Sequence, residues 1–159
     1  MSYKLITCES VSDGHPDKIA DQISDAVLDA ALAQDPKARV ACEVMVKDKW
    51  VCVAGEISFS GTLDYNQIVG QVLAEIYHQP VTDFELVTHI SQQSIEIAQG
   101  VDHEWDQDLG AGDQGVMYGY ACDDNPQLMP MPALLAHALM KQHKQVRANN
   151  PLLGADSKA

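Results

Sequence analysis

The alternating stretches Ala38–Val46 and Val51–Phe59, separated only by Lys47 to Trp50, constrain the fold of this chain more than any other feature. Alternation at period two predicts two strands, and so short a connection predicts an antiparallel hairpin. A one-residue slip would carry every apolar side chain to the wrong face, so burial selects the register in which Val46 faces Val51. Val40, Val44, Val46, Val51, Val53 and Ile57 then share one face. The other face carries Glu43 and Glu56 at diagonal positions roughly 7–8 Å apart, opposite the small residues Ala54 and Ala41.

The hairpin is flanked by helical patterns. Tyr3–Glu9 reads as a short strand, and after a Ser/Asp/Gly loop a helix opens at Pro16, where proline suits the first turn and Asp17 complements the positive end of the dipole. Ile19, Ile23, Ala26, Val27 and Ala30 recur at helical spacing, and the helix should stop near Asp35-Pro36. A second helix is expected over Asp64–Tyr77 and a strand over Phe84–Ile90. The resulting order, β-α-β-β-α-β, predicts an α+β fold with helices on one face of a small sheet. Gln99–Gly115 has no clear period and is long for a structureless connection, so it is either a functional loop or a disordered one. Val116–Cys122 reads as a further strand and Pro132–Ala148 as a third helix. The last residues, "PLLGADSKA", show no closing element.

Composition narrows the function classes. With 159 residues, 46% of them hydrophobic, one packed core is expected. No apolar run approaches the roughly 18 residues of a membrane span, and "MSYKLITCES" lacks the basic and apolar regions of a secretory leader, so a cytoplasmic protein with no membrane contact is expected. Cys8, Cys42, Cys52 and Cys122 form no CxxC pair and read as small buried thiols. The net charge of -13 opposes binding to nucleic acid or an anionic membrane through a broad basic surface. An anionic ligand would need metal ions, or basic residues supplied from elsewhere.

Three stretches carry possible chemistry. His15-Pro16-Asp17-Lys18 at a helix start offers backbone N–H groups, an imidazole and a lysine to phosphate oxygens, and Asp17 is a hard oxygen donor suited to Mg²⁺. The plainer reading is a capped helix start, and spacing alone does not separate the two. Gly110-Ala111-Gly112-Asp113-Gln114-Gly115 lets the backbone bend closely around a ligand, yet it lacks the Lys-Ser/Thr ending of a P-loop and precedes a strand, so it also suits an ordinary glycine-rich turn. Glu43 and Glu56 either hold a cation or ammonium group or belong to a solvated sheet face. The histidines His78, His89, His103, His137 and His143 have no metal spacing.

Together these stretches resemble the S-adenosylmethionine synthetases, also called methionine adenosyltransferases. The resemblance rests on "ESVSDGHPDKIADQISDAVLDA", "DPKARVACE", "GEIS", "QQSIEIAQGVD", "GAGDQGVMYGYA", "LMPMP" followed by "AH", and "ADSKA", in family order over almost the whole chain. It implies a transferase that joins L-methionine to ATP: the sulfur attacks the ribose C5′, the triphosphate leaves, and it is then hydrolysed to phosphate and pyrophosphate. It implies Mg²⁺ and K⁺ as cofactors. Carried onto this chain, it makes His15 the catalytic histidine at the ATP phosphates, Asp17 a Mg²⁺ ligand and Glu43 a K⁺ ligand. Glu56, Gln99 and Asp113 would hold methionine, and Asp156, Ser157 and Lys158 would touch ATP. Gln99, Gly100, Val101, Asp102, His103, Glu104, Trp105, Asp106, Gln107, Asp108 and Leu109 would form a mobile loop over the site.

Family members run to more than twice this length in three similar domains, so residues 1–120 are expected to hold the N-terminal and part of the central domain region, and 121–159 the start of the next, incomplete segment. The second glycine-rich signature and the later basic and acidic residues that grip the triphosphate are absent. The resemblance therefore implies an N-terminal portion, inactive alone, working as a homo-oligomer or beside a complementary synthetase chain. The alternative is a non-catalytic interaction fragment that associates with synthetase subunits. A J-domain co-chaperone, which shares His15-Pro16-Asp17-Lys18, is disfavoured by the acidic helix that follows and the strands after it.

Overall fold

The computed structural model describes residues 5–92, 114–150 and 152–159. Its first element, α1 (Pro16–Leu32), begins where proline and a capping side chain coincide: the His15 ring accepts a hydrogen bond from the Asp17 N–H, and Pro16 occupies the first turn. Ile19, Ile23, Val27 and Ala31 form its buried stripe. The chain turns away at Asp35, whose carboxylate accepts from the Lys37 and Ser60 N–H groups at 2.9 and 3.0 Å. Those two bonds, Ser60 first, hold its carboxyl below the usual carboxylate range.

The hairpin forms as the alternation requires. Strands β1 (Arg39–Lys47) and β2 (Trp50–Ser58) pair antiparallel with Val46 opposite Val51, Glu43 opposite Ala54 and Ala41 opposite Glu56. Asp48 takes a left-handed conformation (φ 55°) in the connection, a position that Asp tolerates through its short polar side chain. Helix α2 (Tyr65–Tyr77), capped by Asp64 on the Gln67 N–H, then carries the chain across to β3 (Glu85–Ser91). That strand lies parallel to β2, so the sheet order is β1-β2-β3.

Both helices lie on one face of this sheet, giving the expected α+β arrangement. Ile19 and Ile23 of α1 and Val69, Leu73 and Ile76 of α2 pack with Val51 and Val53 in the main core, while Val27, Ile57 and Ile68 form a second cluster beside it. Cys42 is half-buried against this core, and burial, with the neighbouring Glu43 adding to it, pushes its thiol up to about 11. On the outer face Met45 and Val87 are exposed.

Two expected strands do not form. Residues 5–9 of the Tyr3–Glu9 stretch are irregular, and among the described residues the ladder-like contact nearest them is an isolated antiparallel bridge between Val11 and Lys158. Residues 116–122 are likewise irregular, with Val116, Met117, Tyr118 and Tyr120 largely exposed. A strand persists only where its backbone groups find a ladder, and among the described residues neither stretch has one. The C-terminal stretch corrects the opposite expectation. Ser10 and Ala159 exchange backbone hydrogen bonds of 2.8 and 2.9 Å, and the Ser12 N–H donates to Ser157 O at 2.8 Å, so the end of the chain is closed against the loop before α1. Finally, α3 (Met131–Arg147) buries only Ala136 and Arg147.

Candidate functional site: the start of helix 1 and the C-terminal segment

Pairing of Val11 with Lys158 brings two widely separated stretches together, the loop Ser10–His15 and the segment Ala155–Ala159. Ser12 is the node. Its hydroxyl donates to Ala155 O at 2.5 Å and accepts from the Ser157 N–H at 2.8 Å, and the residue is only 2% exposed. Gly14 makes the close approach possible, since a Cβ there would lie 2.5 Å from Ala155 Cβ and 2.6 Å from its carbonyl oxygen. Gly14→Ala is accordingly expected to lower stability by about 1–3 kcal/mol through overpacking, read as a lower urea midpoint at unchanged slope.

At the end of this loop, His15 is half-buried with Nδ1 turned to the Asp17 N–H (3.2 Å), while the Asp17 carboxylate stands open to solvent 4.0 Å from the same nitrogen. The first N–H groups of α1 and its dipole favour negative charge here. Lys158 reaches Glu9 at 3.5 Å, and Lys18 pairs with Asp21 at 2.8 Å, which raises the lysine's pKa. Asp156 is exposed and Ser157 half-buried. His15, Asp17 and residues 156–158 thus gather around one end of α1.

Glu43 and Glu56 stand elsewhere. Both project from the outer face of the sheet, whereas α1 packs on the inner face, so the sheet separates them from His15 and Asp17 within one chain. Gln99–Leu109 and Asp113 lie outside the described residues. Among the described residues no group of three or more His, Cys, Asp or Glu side chains is placed to hold a metal ion by itself. A cavity of about 370 Å³ beside Phe84 and one of about 540 Å³ beside Arg147 are lined by neither set of site residues. No helix of the described residues is long and apolar enough to cross a membrane.

Ser10, Ser12, Asp13 and Arg147 were not legible as site residues. His137 of α3 meets the Ser10 hydroxyl at 3.0 Å through Nδ1. Asp13 forms ion pairs with Arg147 and Lys144, each at 3.0 Å. These contacts join positions more than a hundred residues apart, and no local spacing signals them.

The α+β layer thus brings a helix start, an imidazole, an open carboxylate and a lysine-bearing segment to one end of α1. The family comparisons give this fold an identity. The N-terminal domain model of S-adenosylmethionine synthetase matches residues 3–99, and the central domain model matches residues 108–159. The chain belongs to the S-adenosylmethionine synthetase family. Among its relatives, the S-adenosylmethionine synthase of Synechococcus sp. (strain RCC307) is 46% identical over 165 positions, covering 96% of this chain and 40% of the relative. That of Prochlorococcus marinus (strain MIT 9303) is 47% identical, covering 96% of this chain and 39% of the relative. The chain spans about two fifths of the length of these curated relatives.

Proposed function

We propose that this chain contributes to the formation of S-adenosylmethionine from ATP and L-methionine, and that the 159 residues alone do not turn over. The observation that carries both parts is the separation of the two half-sites. His15, Asp17 and the segment 156–158 gather at the start of α1, and Glu43 and Glu56 face away on the far side of the sheet.

On this reading the start of α1 takes the triphosphate. The α1 N–H groups and the His15 ring face its oxygens near the breaking bond, and Asp156, Ser157 and Lys158 contact the nucleotide. Methionine sulfur needs no deprotonation to attack C5′, so the protein's work is alignment and stabilisation of charge on the leaving triphosphate. Asp17 suits Mg²⁺, an ion held by one or two carboxylates together with substrate phosphates, and its carboxylate is open to solvent. Bound there, Mg²⁺ would neutralise triphosphate charge. The exposed Glu43 is a hard oxygen donor of the kind K⁺ takes. Glu56, with Gln99 and Asp113, would hold methionine, and the Gln99–Leu109 loop would close over it. The domain division near residue 120 and a cytoplasmic setting belong to the same reading, and the four free thiols suit a reducing compartment.

Turnover then needs a second surface. A triphosphate meets few cations here, because Lys18 and Lys158 are already paired with Asp21 and Glu9 and the chain carries a net charge of -13. A second copy could bring a Glu43/Glu56 face to the His15 end, whereas the further basic groups would have to come from a complementary synthetase chain. Purified chain incubated with ATP, methionine, Mg²⁺ and K⁺ is expected to form no S-adenosylmethionine above background, and robust formation would refute the requirement for further groups. The exposed Met45 and Val87 on the open sheet face favour a second reading, a non-catalytic fragment that associates with synthetase subunits. Co-purification with an intact synthetase supports that reading, and a monodisperse monomer that does not bind one opposes it.

A further inference from the structure

We infer that Asp13 and Arg147 are positioning residues, whose contact fixes the turn before His15 against α3 and so holds residues 155–159 beside the start of α1. The inference rests on reading that helix start as a phosphate site. Arg147 is the most buried charged residue described, with a side chain 6% exposed against 12% for Asp13. Its guanidinium is anchored at two points: Nη1 donates to Ile76 O at the end of α2 (2.8 Å) and Nη2 to Asp13 Oδ1 (3.0 Å). Lys144, one turn earlier on α3, reaches the other carboxylate oxygen at 3.0 Å. Asp13 is also held through its backbone, since its carbonyl accepts from Gln22 Nε2 of α1 at 2.9 Å.

Helices α1 and α3 therefore converge on one turn residue, and Arg147 ties that residue to the end of α2. Burying an ion pair is a poor way to gain stability, since apolar residues of equal volume often do as well or better; what the pair supplies is one defined geometry. That geometry is passed directly to the site. Ser12 and Gly14, the immediate neighbours of Asp13, make the contacts with Ala155 and Ser157, and the His15 N–H bonds Ser12 O at 3.1 Å. An ammonium group cannot reproduce a planar fork held at two fixed points, so lysine at position 147 should hold the turn only in part.

The test uses the full 159-residue chain and its Asp13→Asn, Arg147→Met and Arg147→Lys variants. Amide exchange at Ser157 and Ala159, which bond Ser12 Oγ and Ser10 O, is compared with exchange across β1 and β2. In parallel, magnesium tripolyphosphate is titrated while the His15 ring resonances are followed. Exchange at Ser157 and Ala159 is expected to quicken roughly tenfold or more in Asp13→Asn and Arg147→Met, with β1 and β2 unchanged. Binding of the probe should weaken by a similar factor, and Arg147→Lys should fall between these variants and the parent. Unchanged exchange at Ser157 and Ala159 would overturn the inference. So would acceleration shared equally by β1 and β2, or unaltered probe binding in variants of a chain that binds it. A parent chain that ignores tripolyphosphate would refute the phosphate reading alone, because the exchange comparison still decides whether the pair holds the segment.

Discussion

Gly55→Ala will unfold a large fraction of the molecule's stability at a single methyl group. Gly55 sits in the middle of β2 at φ 137°, a region that side-chain-bearing residues rarely enter, and a Cβ there would lie 2.0 Å from the Ala41 carbonyl oxygen. The carbonyl belongs to the neighbouring strand, so relief requires β1 to move. Backbone strain and overpacking together should cost about 3–5 kcal/mol. Against a total on the order of 5–15 kcal/mol for a single domain, that is a third or more. Urea denaturation followed by far-ultraviolet circular dichroism measures it. Gly70→Ala is the control: in the interior of α2 its Cβ would come no nearer than 4.0 Å, to Phe84, so helix propensity should leave it neutral or more stable by about 0.5–1 kcal/mol. A Gly55→Ala variant as stable as the parent would show that β1 and β2 do not meet in this register.

Ile23→Ala should be nearly as damaging, for the opposite reason. Ile23 is fully buried in the main core, where α1 meets the sheet and α2. Truncation removes its burial and leaves a cavity that fixed secondary structure on several sides cannot collapse, which costs about 2–5 kcal/mol. Because α1 carries His15 and Asp17 at its start, loosening its seat also disturbs the helix end. Ile23→Val, which removes one carbon, should cost only about 0.5–1.5 kcal/mol. A cost for Ile23→Ala no greater than for Ile23→Val would mean that α1 is not seated on this core.

Much of this architecture is legible in the sequence, and the reason differs by element. The Val46–Val51 register was legible because one strand face must be buried, so any slip would be paid in exposed valine and isoleucine. Helix α1 was legible because Pro16, Asp17 and the Ile19/Ile23/Val27 spacing agree on its start and its face. Residues 5–9 and 116–122 suit a strand by sequence but do not form one, because fitness for a pleated surface says nothing of whether a partner strand is at hand. The closure of residues 155–159 was invisible for the converse reason. It depends on the Ser12 hydroxyl, on the missing Cβ of Gly14 and on a few backbone bonds, none of which has a period.

The candidate site divides in the same way. His15, Asp17 and "ADSKA" attracted attention as separate motifs, and the fold supplied their adjacency. Glu43 and Glu56 were correctly placed on one sheet face, opposite Ala54 and Ala41. What the pairing register alone does not disclose is that α1 lies on the other face, so the sheet stands between the two acidic residues and the helix that His15 caps. Asp13 and Arg147 left no local trace at all, since a buried ion pair between distant positions is a tertiary fact.

That division gives the most direct test of the central claim, that the start of α1 and residues 156–158 form one wall of a nucleotide site from which the Glu43/Glu56 face is separated. Magnesium and a non-hydrolysable ATP analogue should be titrated into isotope-labelled chain and followed by backbone resonances. The account predicts shifts at Gly14 to Lys18 and at Asp156 to Lys158, with Glu43 and Glu56 unmoved. Shifts confined to Glu43, Glu56 and their sheet neighbours, with the start of α1 and residues 156–158 silent, would contradict it.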